Sequence, residues 1–424
     1  MLVVSAYNVN LDAVTNVSGD LLSYLIKSKG IKPQLGLPGK ISSLDDLVSA
    51  LLLCMREGRG AELLIHDQDI AGLICQLFPW HFRLGGNAGN MANALAELGE
   101  CVVLNVPALG KNLSTLIHQN VRVPVLANGK AVLRSPLEAR TEAYEPVHFV
   151  LQFGAGEKVK AAEEIVISAR ENRLIATFDH LNQKLHNNPA FDEYCSENMS
   201  QAVGALVSGF HLAPFPGHQK LMDQRIEQIR SWKKQNPRLY IHAEMGSFQN
   251  YEVMEYILPK LPVDSIGMNE DELAQIRKFE PNWRGIMREA RDLRDFLGIS
   301  RICIHTKEFI ISAIKQALLP VDEVKALEYG AELAAGLACS GKLCRPPSLQ
   351  VSLAGTEAVN DFCRSPGAIR VSRGAYIISE DGGVLCLAPS FAVSCPRITV
   401  GLGDAMTAAV FVEELKAKKA KGAS

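Results

Sequence analysis

The strongest constraint on how this 424-residue chain can fold is an alternation kept up over most of its length: short apolar, β-branched runs, each followed by an amphipathic stretch. The runs "LVVSAYNV", "CVVLNV", "HFVLQF", "RLIATF", "ALVSGF", "LYIHAEM", "SIGMN", "RICIHT" and "ITVGL" have strand length. Helical periodicity is predicted over 43–56, 87–98, 218–233, 284–297 and 321–337. Strand and helix in strict turn describe βα units around a large, mostly parallel sheet covered on both faces. The fold class is therefore α/β.

Two regions break this rhythm. From about 102 to 153 the text reads as short strands and turns, with Asn128-Gly129 as a hairpin signal, which predicts β-structure set apart from the main layers. Residues 13–82 read as helical and are expected to join it in a smaller, discontinuous α/β lid. The expected division is a large domain of 1–12, about 83–101 and about 190–424, and a lid of about 13–82 and about 102–189. Ligands of open α/β sheets bind at the carboxyl ends of the strands, where such a lid would sit.

A net charge of −2 supplies no attraction for nucleic acid or an anionic membrane, so neither is expected as a partner. No stretch approaches the ~18 apolar residues of a membrane span, and "MLVVSAYNVNLDAV" lacks the pattern of a signal peptide. The ten cysteines are scattered with no CxxC pair, which predicts buried thiols in a reducing cytoplasm. The tail "KAKKAKGAS" reads as a solvated helix end.

Five stretches carry candidate chemistry. In "ITVGLGDAM" a strand leading through glycines into a helix would put Gly401, Gly403 and Asp404 at a helix start, where free N–H groups and the helix dipole favour an anion. Asp404 is then either a helix cap or a base that accepts a hydroxyl proton beside a bound phosphate. "RLGGNAGNMAN" has a second glycine turn before a helix: Gly86 allows close backbone approach, and Asn87 and Asn90 offer hydrogen bonds to hydroxyls. In "YNVNLDA", Asn8, Asn10 and Asp12 recur at period two and share one side of an extended chain, a face suited to a polyol. "IHAEMGS" places His242 and Glu244 together at a strand end, and "SIGMNEDEL" starts a helix with Asn269 and Glu272. Carboxylates at strand ends suit Mg²⁺, which keeps several waters. Taken jointly, these features describe a Mg²⁺-dependent kinase of small polyols.

With these motifs in order, the chain resembles the ADP-dependent sugar kinases, archaeal glucokinase and 6-phosphofructokinase, within the ribokinase-like superfamily. The resemblance spans nearly the whole chain: "YNVNLDA", "GGNAGNMAN", "NRLIATFDHLN", "HAE", "NEDE", "RICIHT" and "VGLGDAM". It implies a ribokinase-like αβα sandwich with a smaller lid, a Mg²⁺-ADP donor that yields AMP, and a sugar acceptor. It implies Asp404 as the base, Gly401 and Gly403 in the anion hole, and Glu244 and Glu272 as organisers of Mg²⁺, mostly through water. Asn10, Asp12, Gly86 and Asn87 match sugar-holding positions, Arg173 resembles an arginine that meets a phosphate, and His305 and Thr306 fall where the family approaches the nucleotide.

This chain departs from the family in having Asn87 where Gln is frequent. "WHFRL", just before the glycine pair, also lacks the glutamate that glucose-using members tend to present there. His81, Arg83 and Arg173 offer positive partners for a phosphorylated sugar instead. The expectation is an ADP-dependent sugar kinase acting on fructose 6-phosphate, with small molecules as partners, as a monomer or small homo-oligomer. The alternatives are glucose as acceptor, an ATP-dependent ribokinase-like enzyme, and a non-catalytic sugar- or nucleotide-binding homologue.

Overall fold

The computed structural model describes residues 1–422 apart from 35, 143, 162–163, 187, 316–318, 373 and 381. A twelve-stranded sheet runs in the order Ala368–Arg370, Tyr376–Glu380, Gly383–Pro389, Phe309–Ile314, Arg301–His305, Ser265–Asn269, and then Tyr240–Glu244, Gly204–Val207, Leu2–Ala6, Cys101–Leu104, Val121–Ala127, Lys130–Arg134. From Arg301–His305 to Val121–Ala127 every pairing is parallel, as βα crossovers require. The flanking strands at both ends pair antiparallel. A five-stranded sheet has the order Ala61–Leu64, Asn172–Phe178, Val147–Phe153, Asn10–Asn16, His81–Gly85.

Adjacent residues of one strand feed opposite faces of the large sheet, as the two-residue period demands. Val3 belongs to one hydrophobic core with Leu206, Leu95 and Phe411, and Val4 belongs to another with Ala205, Ile241 and Trp232. The helix Asn87–Glu97 buries Ala88, Met91, Ala92 and Leu95, an i, i+3, i+4, i+7 stripe. The helix Leu402–Gly422 packs against both Asn87–Glu97 and Pro320–Ser340, and its first half is buried nearly all round. Gly204 lies under the Phe411 ring, where a Cβ would come within 2.6 Å of it.

Three expectations about strands and helices fail. "ITVGL" is no strand, because the chain is irregular up to Gly401 and the helix starts at Leu402; the apolar residues there close a cavity and enter no sheet. The hairpin around Asn128-Gly129 extends the large sheet from Cys101–Leu104, so the strands between 101 and 134 belong to the main layers. The region 13–82 is not wholly helical: Asn10–Asn16, Ala61–Leu64 and His81–Gly85 are strands of the small sheet. The chain passes from one sheet to the other between Ala6 and Asn10.

All ten cysteines are free; Cys54, Cys195, Cys303 and Cys386 are buried, but Cys75, Cys101, Cys339, Cys344 and Cys395 are exposed. The expectation of generally buried thiols therefore fails, and for a local reason: Cys101 opens a strand and Cys339 lies in the last turn of its helix, where neighbours are sparse. Among the described residues no helix is long and apolar enough to cross a membrane.

Candidate functional site

The crossing from large to small sheet builds the first wall of the site. Asn10 pairs in register with Gly85, and its amide donates to Asp12 Oδ1 at 2.6 Å. Gly86 follows with φ of 83°, and a Cβ there would stand 2.5 Å from the Asn8 carbonyl oxygen; only glycine fits this approach. Asn8 points the other way, donating to Asn87 Oδ1 at 3.2 Å and accepting from the Ala88 backbone N–H at 3.3 Å. The shared face expected of Asn8, Asn10 and Asp12 is thus reduced to Asn10 and Asp12, because Asn8 precedes the strand.

Asp404 lies in the first turn of the helix Leu402–Gly422 and is buried. Its Oδ1 accepts from Asn87 Nδ2 at 2.9 Å and its Oδ2 from Asn90 Nδ2 at 3.0 Å. Burial and the charge of Glu244 push its pKa up to about 6, against the lowering effect of the two amides. A carboxylate so placed is ionised at neutral pH and more basic than a free aspartate. Gly403 faces His305, and a Cβ there would be 2.9 Å from the imidazole Cε1.

Glu244 ends the strand Tyr240–Glu244 and is 3% exposed. Its Oε2 accepts from His242 Nε2 and Thr407 Oγ1, each at 3.0 Å, and its Oε1 lies 3.3 Å from His305 Nε2. Burial alone would raise its pKa; the hydrogen bonds from His242 and His305, with the charge of His305, hold it at about 2. Asn269 and Glu272 form a capping box: the Glu272 N–H donates to Asn269 Oδ1 at 2.8 Å and the Asn269 N–H to Glu272 Oε2 at 2.9 Å. Burial, with the charges of Glu244 and Asp404, lifts Glu272 to about 7. Three carboxylates are therefore close enough to oppose one another's ionisation. Among the described residues no group of three or more His, Cys, Asp or Glu forms a ready metal cage.

A cavity of about 480 Å³ separates the small sheet from the starts of the helices Asn87–Glu97 and Leu402–Gly422. Asp12, Arg83, Arg173, Asn90 and Gly401 line it. So does His148, which the sequence motifs did not single out; the alternation in "VHFVLQF" is the available signal, since His148, Val150 and Gln152 take the half-exposed positions of that strand and all face the cavity. Burial alone would lower the pKa of His148, but the Asp179 carboxylate 2.8 Å away, with Asp12 and Glu62, lifts it to about 9, so the ring is cationic.

A second cavity of about 830 Å³ opens beyond the strand ends and is lined by Thr306, Phe309, Trp283, Glu270 and Asp271 among others. Thr306 contributes to its wall, but its hydroxyl is engaged in a local turn, donating to the Phe309 carbonyl at 2.9 Å. His305 stands between the cavities, against Gly403 and Glu244. Of the sequence candidates, Asp12, Arg173 and Gly401 thus line the first cavity and Thr306 the second, while Asp404 and Glu244 are joined to them through Asn87, Asn90 and His305.

Comparison with known proteins converges on one family. A family model described as the ADP-specific phosphofructokinase/glucokinase conserved region matches residues 1–413. The ADP-specific phosphofructokinase of Thermococcus litoralis is 28% identical, with 98% of this chain and 96% of the relative covered. An ADP-dependent glucose/glucosamine kinase of Pyrococcus abyssi is 27% identical, with 97% and 94% covered. A solved ADP-dependent kinase in complex with fructose-6-phosphate and ADPβS superposes with a TM-score of 0.79 at 25% identity, covering 99% of this chain and 94% of that one. The architecture is the ribokinase-like α/β fold of these kinases.

Proposed function

The chain belongs to the ADP-specific phosphofructokinase/glucokinase family, and from that premise we propose that it transfers the β-phosphoryl group of ADP to a hydroxyl of fructose 6-phosphate, giving AMP and fructose 1,6-bisphosphate. The observation that carries this reading is the setting of Asp404: a buried carboxylate with a pKa raised to about 6, at a glycine-flanked helix start whose neighbours Asn90 and Gly401 line the 480 Å³ cavity. Asp404 takes the proton of the acceptor hydroxyl, the hydroxyl oxygen forms a bond to the β-phosphorus, and the bond from that phosphorus to the departing AMP oxygen breaks. In this reading the backbone N–H groups of Gly401 and Gly403 stabilise the charge of the transferring group. Asn10 and Asp12 orient the sugar hydroxyls, and Arg83, Arg173 and cationic His148 suit the sugar phosphate.

Mg²⁺ fits this donor set. Glu244 is held ionised, and Glu272 and Asp404 carry raised pKa values that a nearby dication would relieve. Glu244 and Glu272 would organise the ion through water, and when bound it supplies charge neutralisation at the phosphates. His305 and the cavity beside Thr306 serve the nucleotide. The five-stranded sheet, with the helices between its strands, acts as the lid. Ten free cysteines accord with a cytoplasmic enzyme.

Glucose is the second acceptor reading, favoured by the glucose/glucosamine kinase relative at nearly equal identity. The test is AMP release from Mg²⁺ and ADP over a panel of sugars and sugar phosphates, with ATP in parallel. Turnover with fructose 6-phosphate is the expected result; turnover with ATP alone overturns the donor, and turnover with glucose alone overturns the acceptor.

A further inference from the structure

Behind Glu244 lies a buried chain of polar groups that the proposed reaction does not use. Arg301, on the strand Arg301–His305, is 1% exposed. Its Nε lies 2.8 Å from Glu323 Oε1 and 2.7 Å from Glu414 Oε1, and its Nη1 donates to Ser265 Oγ at 3.1 Å. Ser265 Oγ is 2.9 Å from His242 Nδ1, and His242 Nε2 is 3.0 Å from Glu244 Oε2. Gly267 lies against this last contact: a Cβ there would be 2.3 Å from Glu244 Oε2 and 2.8 Å from His242 Nε2.

The direction of each bond follows from what each group can do. A guanidinium only donates, and an ionised carboxylate only accepts. Glu244 Oε2 therefore takes a proton-bearing His242 Nε2. Arg301 Nη1 donates into the Ser265 oxygen, so the hydroxyl hydrogen turns away from the guanidinium toward His242 Nδ1, which is the acceptor. Ser265 then gives its one proton to Nδ1 while its oxygen accepts from Arg301. The same guanidinium holds Glu414, on the helix that carries Asp404 and Thr407, so the helix and the His242–Glu244 pair are referred to one buried cation.

We propose that Arg301 and Ser265 are positioning residues for the phosphoryl transfer: a one-way chain of donors from Arg301 through Ser265 and His242 to Glu244 fixes the Nε2–H tautomer of His242 and the orientation of the Glu244 carboxylate. The kinetic part of this inference rests on the proposed role of Glu244; the tautomer part does not.

The experiment is ¹⁵N NMR of the full chain labelled at histidine, with His242 assigned by His242→Gln, together with kinetics of Ser265→Ala and Ser265→Thr. In the parent, His242 shows a protonated Nε2 and an unprotonated Nδ1. In Ser265→Ala that pattern is lost and kcat falls about 10–100-fold, the usual effect of removing a group that orients a ligand, with sugar KM within about twofold; Ser265→Thr, which keeps the hydroxyl, restores both. A protonated Nδ1 in the parent overturns the proposal, and so does an unchanged tautomer or unchanged kcat in Ser265→Ala. A parent inactive with ADP overturns the proposed reaction instead, and the tautomer measurement then decides the chain of donors by itself.

Discussion

Asn87 donates its side-chain amide to Asp404 Oδ1 at 2.9 Å, joining the first turns of two helices that lie 317 positions apart in the chain. Asn90 holds the other oxygen from one turn further along. The helix Asn87–Glu97 thus sets the carboxylate in place from one side while Gly401 and Gly403 bring it in from the other. This arrangement gives Asn87 a role in holding the base, beside the sugar contact that its sequence position suggests.

The two amides stabilise the ionised form of Asp404, whereas burial and Glu244 oppose it. Because the base must be unprotonated, kcat is expected to fall as pH drops through about 6. Asn90→Ala removes one lowering influence, so the acid limb of its kcat profile moves to higher pH. A kcat profile from pH 5 to 8 on both proteins checks the sign; a shift to lower pH contradicts it.

Asp404→Asn tests the base itself. The loss of general base catalysis predicts a fall of about 10²–10⁴-fold in kcat, with sugar affinity by calorimetry within about threefold of the parent. Turnover within about threefold of the parent would remove Asp404 from the role of base.

His148→Gln keeps a donor toward Asp179 and deletes the positive charge in the 480 Å³ cavity. A hydrogen bond to a charged group contributes about 1.5–3 kcal/mol, so KM for fructose 6-phosphate should rise at least about tenfold. Binding of an uncharged sugar should be unchanged. Equal losses for both ligands would show that His148 acts on the fold and not on the phosphate.

The parallel centre of the large sheet was legible because each strand there is a continuous apolar run buried on both faces, as in "ALVSGF" and "RICIHT". Sheet membership was not: Asn10–Asn16 and Val121–Ala127 have ordinary strand patterns, and nothing local says which sheet a strand joins. The glycine turns, Asp404 and Glu244 announced themselves through residue types that fit few other roles. His148 did not, since a lone histidine in an alternating strand reads as surface until Asp179 and Asp12 are seen beside it. Arg301 lay inside an apolar run, and its partners Ser265, Glu323 and Glu414 are brought to it only by tertiary packing.

Gly403→Ala places a methyl group 2.9 Å from His305 Cε1. The imidazole must give way, and its 3.3 Å contact with Glu244 Oε1 is the interaction that such a shift disturbs. Displacements on the order of 1 Å in a positioned site cost about 10²-fold in rate, so kcat should fall by that order while the melting temperature changes little. A crystal structure of the variant with His305 unmoved, or kcat within about twofold of the parent, contradicts this.

Glu272 and Asp404 link the cleft to stability. Both pKa values are raised in the folded state, to about 7 and about 6, so between those values and their ordinary range the folded chain binds more protons than the unfolded chain. Their contribution to stability therefore increases as pH falls from about 7 to about 5, by up to about 1.4 kcal/mol per pH unit for each excess proton. Glu244, held at about 2, is ionised throughout this window in the folded state and titrates only below it. In EDTA, the melting temperature of the parent is expected to gain on that of Glu272→Gln over this pH fall; His211, whose pKa burial lowers to about 4, opposes the gain in both proteins alike. Millimolar Mg²⁺ should flatten the gain, because the ion relieves the same repulsion that the protons relieve. A slope unaltered in Glu272→Gln would show that these carboxylates do not oppose one another in the folded chain.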